Sequence, residues 1–402
     1  MKIIAVDVFT LRFSYEPENR FRYAGGECTG RLTSLVKIKT DAGLEGIGSS
    51  YSHPQLVNAI ISDHLSPFLL GKDPLEIERW WTANQNLTQW YGRKGAAISA
   101  LGAIDIALWD IAGKAKGVSV CELLGGTREN VPVYASGLLW RDRPEDLKRE
   151  ARQHVSRGFR AVKMRIGKNF TYDVDAIRSV RDAIGQENRL IVDGNSRLTP
   201  ESARALQPIL SDANVFWLEE PFAPDNLSAF RDLKQSAQVR LAAGENEFGV
   251  QGFETLIANE AVDVIQPDCS RTGGITEAKR IATLAAKHGL GIAPHTWSDA
   301  VALTANLHLA ASCSNGITVE MDQTGNPFID DLLQEKLVLR DGSLRVPKGP
   351  GLGIALDDAV VARYAIDPSL PVPHGNYSDM VFGAEHRMDA YPYETGVLHE
   401  QR

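Results

Sequence analysis

Asp193, Glu219, Glu245, Asp268 and His295 follow one another at intervals of 26, 26, 23 and 27 residues. Each stands at or near the end of a short apolar run: RLIVDGN, VFWLEEP, RLAAGEN, VDVIQPD and GIAPHT. Taken singly, such an acid could cap the following helix or pair with a lysine. Placed in register at the ends of buried strands, charged groups are costly unless they are paired or used. An interval of this length is one strand plus one helix, and in a closed parallel barrel equivalent strand ends converge on one mouth. Three carboxylates meeting there repel one another unless a cation lies between them. Asp193, Glu219 and Glu245 form an all-oxygen set, which favours Mg²⁺ or Mn²⁺ over zinc or copper.

Asp268 and His295 sit on consecutive strand ends, close enough for a carboxylate to fix the imidazole tautomer and raise its basicity, which makes His295 a candidate general base. Lys163 and Arg165 alternate in RAVKMRI, so both point inward from a strand on the other side of the barrel. Structural ion pairing is one use for two inward cations. Holding an anionic substrate beside carboxylates and a metal is another, and it accounts for both at once.

The elements that must position these groups are legible in outline. Eight β-branched or apolar runs, at 131–137, 160–166, 189–195, 215–221, 240–246, 262–268, 291–296 and 318–322, are separated by seven helical stretches. That is the pattern of an α/β protein with a parallel barrel. An open doubly wound sheet would carry an early glycine-rich phosphate loop, and none is found. Before the barrel, residues 1 to about 50 read as a strand meander with a polar loop, SYEPENRFRYAGGECTG, and residues 55–125 as helices, together a small α+β unit. The expected division is a capping domain over 1–128, a barrel over 129–350, and a segment over 351–402 that returns to the cap and ends in a tail rich in Pro, Tyr, His and Asp. The tail could pack on the cap, pack on a neighbouring subunit, or lack order.

The net charge of −8 over 402 residues gives no broad positive field, which argues against nucleic acid and anionic membranes and for a small-molecule partner. Cys28, Cys121, Cys269 and Cys313 are far apart, without a CxxC, as expected of reduced thiols in a cytoplasmic protein. The N-terminal MKIIAVDVFTLRF alternates like a strand and does not read as a signal peptide.

Lys163-Met-Arg165, Asp193-Gly-Asn195, Glu219-Glu220-Pro221, Gly244-Glu245-Asn246, Asp268, His295-Thr-Trp297 and Glu320, with AIDIALWDIAGKAKG earlier and GPGLGI later, resemble the mandelate racemase subgroup of the enolase superfamily over nearly the whole chain. The resemblance implies a modified TIM barrel, (β/α)7β, under an α+β capping domain, with Mg²⁺ on Asp193, Glu219 and Glu245. It also implies that His295 with Asp268 is a base, that Lys163 and Arg165 flank the other face of the substrate, and that Glu320 donates a hydrogen bond to the developing enolate. Asn195, Arg22, Tyr23, His53 and Trp297 are then the substrate-binding positions, with Arg20 and Tyr51 beside them over the mouth. The chain departs from the commonest pattern at Arg165, where lysine is usual; a guanidinium stays protonated and cannot serve as a second base, and Lys163, the other candidate, is the position that the resemblance assigns to holding the substrate carboxylate. A one-base site suits elimination better than racemisation. The expected activity is dehydration of an acid sugar to a 2-keto-3-deoxy acid. Aldarolactone cycloisomerisation, racemisation or epimerisation are the alternatives, and a non-catalytic sugar-acid binding protein is the alternative of another class. A homo-oligomer is expected.

Overall fold

In the computed structural model of the chain, residues 1–23, 26–367 and 380–382 are described. The N-terminal half-layer is an antiparallel meander of Ile3–Ser14, Gly26–Thr40 and Glu45–Ser50. The segment expected as a loop extends this hairpin instead: Ser14 pairs with Gly30, and Phe21–Tyr23 pairs back on the second strand with Phe21 opposite Cys28. Its polar composition hides the reason. Tyr15, Phe21 and Cys28 are buried together with Tyr51, Leu139 and Trp297, so the pairing is stabilised from the barrel side.

Helix Ala96–Lys116 lies under the meander and ends at Gly117 in the left-handed conformation, φ 69°. Gly46 and Gly48 make that packing close, since a Cβ there would fall 2.1 Å from the Ala107 carbonyl oxygen and 1.9 Å from that of Ala103. Among the described residues this is the helix long and apolar enough to cross a membrane, yet it is almost wholly buried within the fold. Its far side meets the barrel. Asp105 accepts from the backbone N–H (2.9 Å) and hydroxyl (2.6 Å) of Thr276, and a Cβ on Gly102 would touch the Cys269 carbonyl oxygen at 2.8 Å.

The barrel strands are Asn130–Ser136, Ala161–Arg165, Arg189–Asp193, Val215–Glu219, Arg240–Ala243, Val264–Ile265, Gly291–Ile292 and Val319–Asp322. Seven helices alternate with them, from Asp146–Ser156 to Ala300–Ala311. Neighbours pair in chain order, Ile292 bonds to Asn315 and Ile317, and the last strand pairs with the first, which closes the circle. The fold is the α/β (β/α)7β barrel under an α+β cap that the sequence indicates.

Strand alternation gives the interior its layers. Tyr134, Ala161, Ile191, Trp217, Ala242, Val264 and Ala293 form one buried apolar plug. Two residues further along the strands stand Ser136, Lys163, Asp193, Glu219, Gln266 and His295. After the barrel, Ala365–Ile366 pairs with Ile3–Ser14 and Met380–Phe382 with Gly26–Thr40, so these two strands of the C-terminal segment lie on the cap, while residues 355–357 bond back to 332–334. The remainder of the tail lies outside the described residues.

Candidate active site

Asp193 and Glu219 are the last residues of the third and fourth barrel strands, and Glu245 follows the fifth. One carboxylate oxygen from each lies within 4.8 Å of the others. Lys163 Nζ stands 3.3 Å from Asp193 and 2.7 Å from Glu320 and donates to Glu219, to which Trp217 Nε1 also donates at 3.0 Å. Arg165 donates to Asp193 and stands 3.9 Å from Glu320. Burial pushes the Asp193 carboxyl up; Arg165 and Lys163 oppose this, while Glu219 and Glu245 add to it. Glu219 goes the other way because Lys163, Arg165 and the Trp217 N–H outweigh its burial. Glu245 Oε2 is buried and accepts no hydrogen bond from the described residues. Three converging carboxylates, one of them with a buried oxygen that accepts nothing from the described residues, fit a hard divalent cation.

Across the mouth, His295 Nδ1 is 2.8 Å from Asp268 Oδ2. Asp268 also accepts from the Ser270 backbone N–H and hydroxyl and from Asn306 Nδ2, at 2.9, 2.7 and 3.0 Å. Burial acts against its ionisation, but these donors and His295 hold its carboxyl below the usual range. Nδ1 therefore carries the hydrogen that Asp268 accepts, and Nε2 points to the centre, 3.7 Å from both Glu245 and Glu320. Burial lowers the His295 pKa, yet Glu245, Glu320 and Asp268 together push it up to about 9. Glu320 accepts from the Thr296 backbone N–H at 3.2 Å. Lys163 and His295 overcome its burial and hold it low, so in this arrangement Glu320 is a carboxylate that accepts.

Residues 146–360 match the family described as enolase C-terminal domain-like, and residues 14–125 match the mandelate racemase / muconate lactonizing enzyme N-terminal domain. The chain belongs to the enolase superfamily, mandelate racemase subgroup. It is 36% identical over 381 residues to a D-galactarolactone cycloisomerase of Agrobacterium fabrum, covering 92% of this chain and all of that protein. It is 32% identical over 334 residues to an arabinonate dehydratase of Saccharolobus solfataricus, covering 82% and 89%. A racemase from Streptomyces coelicolor, solved with bound magnesium, superposes with a TM-score of 0.84 at 28% identity, covering 90% of this chain and all of the other.

The remaining positions of this superfamily member divide into two groups. Trp297 is buried, with the guanidiniums of Arg165 and Arg31 each 5.0 Å from its ring centroid. Tyr51 lies with its ring 5.2 Å from the His295 ring, and Tyr23 packs on the same cluster as Tyr51 and Trp297. Asn195, at φ 42°, donates its backbone N–H to Asp193 at 2.8 Å, and its buried Oδ1 has no partner among the described residues. Arg20 and Arg22, by contrast, turn to Glu27, at 3.7 and 3.3 Å. His53 is half-buried at the start of helix Pro54–Ala59, and no described contact ties it to the carboxylates.

Several neighbours of the site carry no strong signal in the sequence. Arg31, fully buried in the cap, donates to the Trp297 carbonyl at 2.6 Å and to Asp322. Glu220, at φ 35°, accepts from Asn246 Nδ2 at 3.0 and 2.8 Å, and Asn246 in turn accepts from Arg271, whose guanidinium lies 5.0 Å from the Tyr51 ring. Only their adjacency to Glu219, Glu245 and Asp268 could have flagged Glu220, Asn246 and Arg271.

Proposed function

We propose that the chain abstracts the proton α to the carboxylate of an acid sugar and then eliminates water from the β-carbon, giving a 2-keto-3-deoxy acid. The observation that carries this reading is the geometry across the mouth: one imidazole oriented by a carboxylate on one side, and two permanently charged cations, Lys163 and Arg165, on the other.

Asp193, Glu219 and Glu245 would hold Mg²⁺, or Mn²⁺ in its place. When bound, the ion supplies positive charge beside the substrate carboxylate, which lowers the cost of the extra negative charge left by proton removal. The chain's own residues do the rest. Lys163 holds the carboxylate. In its neutral form, favoured once the Glu245 charge that raises its pKa is offset by a bound cation, His295 takes the α-proton at Nε2, and Asp268 stabilises the imidazolium that results. Glu320 stands beside Lys163; it takes a proton from solvent before the substrate's α-proton leaves, and in that form donates a hydrogen bond to the developing enolate. Arg165 stays charged and takes no proton, so abstraction comes from one face. The imidazolium then delivers its proton to the β-hydroxyl leaving from the same face.

A second reading has specific support. The full-length similarity to a galactarolactone cycloisomerase fits the same first step followed by loss of a ring carboxylate as the leaving group. One assay separates the readings: a panel of aldonates, aldarates and aldarolactones incubated with Mg²⁺ in D₂O. Keto-acid formation with loss of water supports the dehydratase. Isomerisation of a lactone without loss of water supports the cycloisomerase. Absence of both product and α-deuteration across the panel would overturn the proposal.

A further inference from the structure

We propose that Gln266 is a specificity-determining residue whose side-chain amide hydrogen-bonds a hydroxyl group of the substrate; this rests on the acid-sugar reading above. Gln266 belongs to the inward series that follows the apolar plug, and the plug's member on its strand is Val264. On four other strands the same step reaches Lys163, Asp193, Glu219 and His295, all groups of the site. Gln266 also lies one inward step below Asp268, the partner of His295. Its place beside the fifth and seventh strands is fixed by the backbone: its N–H donates to Ala243 at 3.0 Å, and Ala293 N–H donates to Ile265 at 3.0 Å. By backbone register Gln266 stands level with Gly244 and Ala293, neither of which carries a polar side chain.

Gln266 is 0% exposed, and neither its Oε1 nor its Nε2 has a hydrogen-bond partner among the described residues. A buried primary amide left this way destabilises the fold, and a leucine or methionine of similar volume would pack there without that cost. An amide offers a donor and an acceptor side by side, which a hydroxyl matches because it both accepts and donates. A carboxylate would match only the donor half. A site built around such a group rejects the analogue that lacks the hydroxyl far more strongly than a hydrophobic pocket could. The ligand class is thus a hydroxy acid, and the discrimination is against its deoxy counterpart.

The test uses the full-length protein with Mg²⁺ and two non-reacting probes, tartronate and malonate, which differ by one α-hydroxyl, with Kd measured by calorimetry. The wild type is expected to prefer tartronate by about tenfold or more, and Gln266→Met to bring the two to within about threefold. Gln266→Met is also expected to raise Tm by roughly 1–3 °C, because an unmatched buried amide has been removed. Gln266→Asn, which keeps the amide but draws it back by one methylene, should lose the preference as the methionine variant does and tests the point if that variant is poorly folded. Equal Kd values in the wild type, an unchanged preference in the variants, or a lower Tm for Gln266→Met would overturn the assignment. These readouts need no turnover, so they stand apart from failure of the acid-sugar panel.

Discussion

The Arg165 guanidinium lies 5.0 Å from the centroid of the Trp297 indole, whose other neighbour at the same distance is the buried Arg31 of the cap. Arg165 is thus held by an aromatic ring as well as by its pairing with Asp193, and a flexible ammonium would not reproduce the stacking. Arg165→Lys is expected to lose about tenfold or more in turnover. Because an amine can give up its proton among other cations, the variant should also begin slow α-proton exchange from the second face. Proton NMR of substrate recovered from D₂O reads the stereochemistry. Exchange confined to the original face would show that Arg165 is not what keeps the site one-sided.

The carboxylate triad should make activity metal-dependent. Treatment with EDTA is expected to abolish turnover and added Mg²⁺ to restore it. Asp193→Asn, Glu219→Gln and Glu245→Gln should each lower Mg²⁺ affinity by at least tenfold in calorimetric titration. Of the three, Glu245→Gln should disturb the metal-free fold least, since Glu245 Oε2 gives up no hydrogen bond there, whereas Glu219 accepts from Lys163 and Trp217. Normal Mg²⁺ affinity in any of the three would remove that residue from the ligand set.

His295→Asn should abolish α-deuteration, with a fall in kcat on the order of 10²–10⁴. Asp268→Asn keeps the shape but offers Nδ1 a different partner, and with Asn306 and Ser270 still directed at that position the loss should be large in kcat and small in KM. Single-turnover kinetics in D₂O would register both. Wild-type exchange by His295→Asn would place the base elsewhere.

Which of these groups were visible in the sequence follows from where they sit. Asp193, Glu219, Glu245, Asp268 and His295 stand out because they interrupt apolar runs at a repeat of one strand and one helix, and a barrel turns that repeat into convergence. Lys163 and Arg165 stand out by alternation within one run. Gln266 obeys the same register but carries no charge, so it reads as an ordinary polar residue after a strand. Arg31 lies at the middle of a cap strand, and its pairing with Asp322 links positions 291 residues apart; no local period encodes such a contact. Arg20, Arg22 and His53 stand out in the sequence for their chemistry alone, and Glu27, only a few residues from the two arginines, is the partner of both.

The last expectation concerns stability and a histidine remote from the chemistry. His308 is fully buried in helix Ala300–Ala311, where Nδ1 accepts from the Cys121 N–H at 3.1 Å and Nε2 donates to the Leu352 carbonyl at 3.0 Å, tying barrel to cap-returning chain. Burial lowers its pKa from 6.5 to about 4, although the Leu352 carbonyl acts in the opposite direction. The folded protein thus keeps this ring neutral over a range in which the unfolded chain binds a proton. Its contribution to stability is fully present above pH 6.5 and is lost as pH falls towards about 4, up to roughly 3 kcal/mol in all. Asp105, pushed up to about 7 mainly by burial, contributes with the opposite sign across much of the same range, so the wild-type profile alone does not isolate the histidine. The comparison with His308→Gln does. The variant should be less stable at pH 7.5, having lost a well-matched ring, and the gap should narrow steadily as pH falls from 6.5 to 4.5 in urea unfolding followed by far-ultraviolet circular dichroism. A gap that stays constant over that range would mean that His308 does not take up a proton on unfolding.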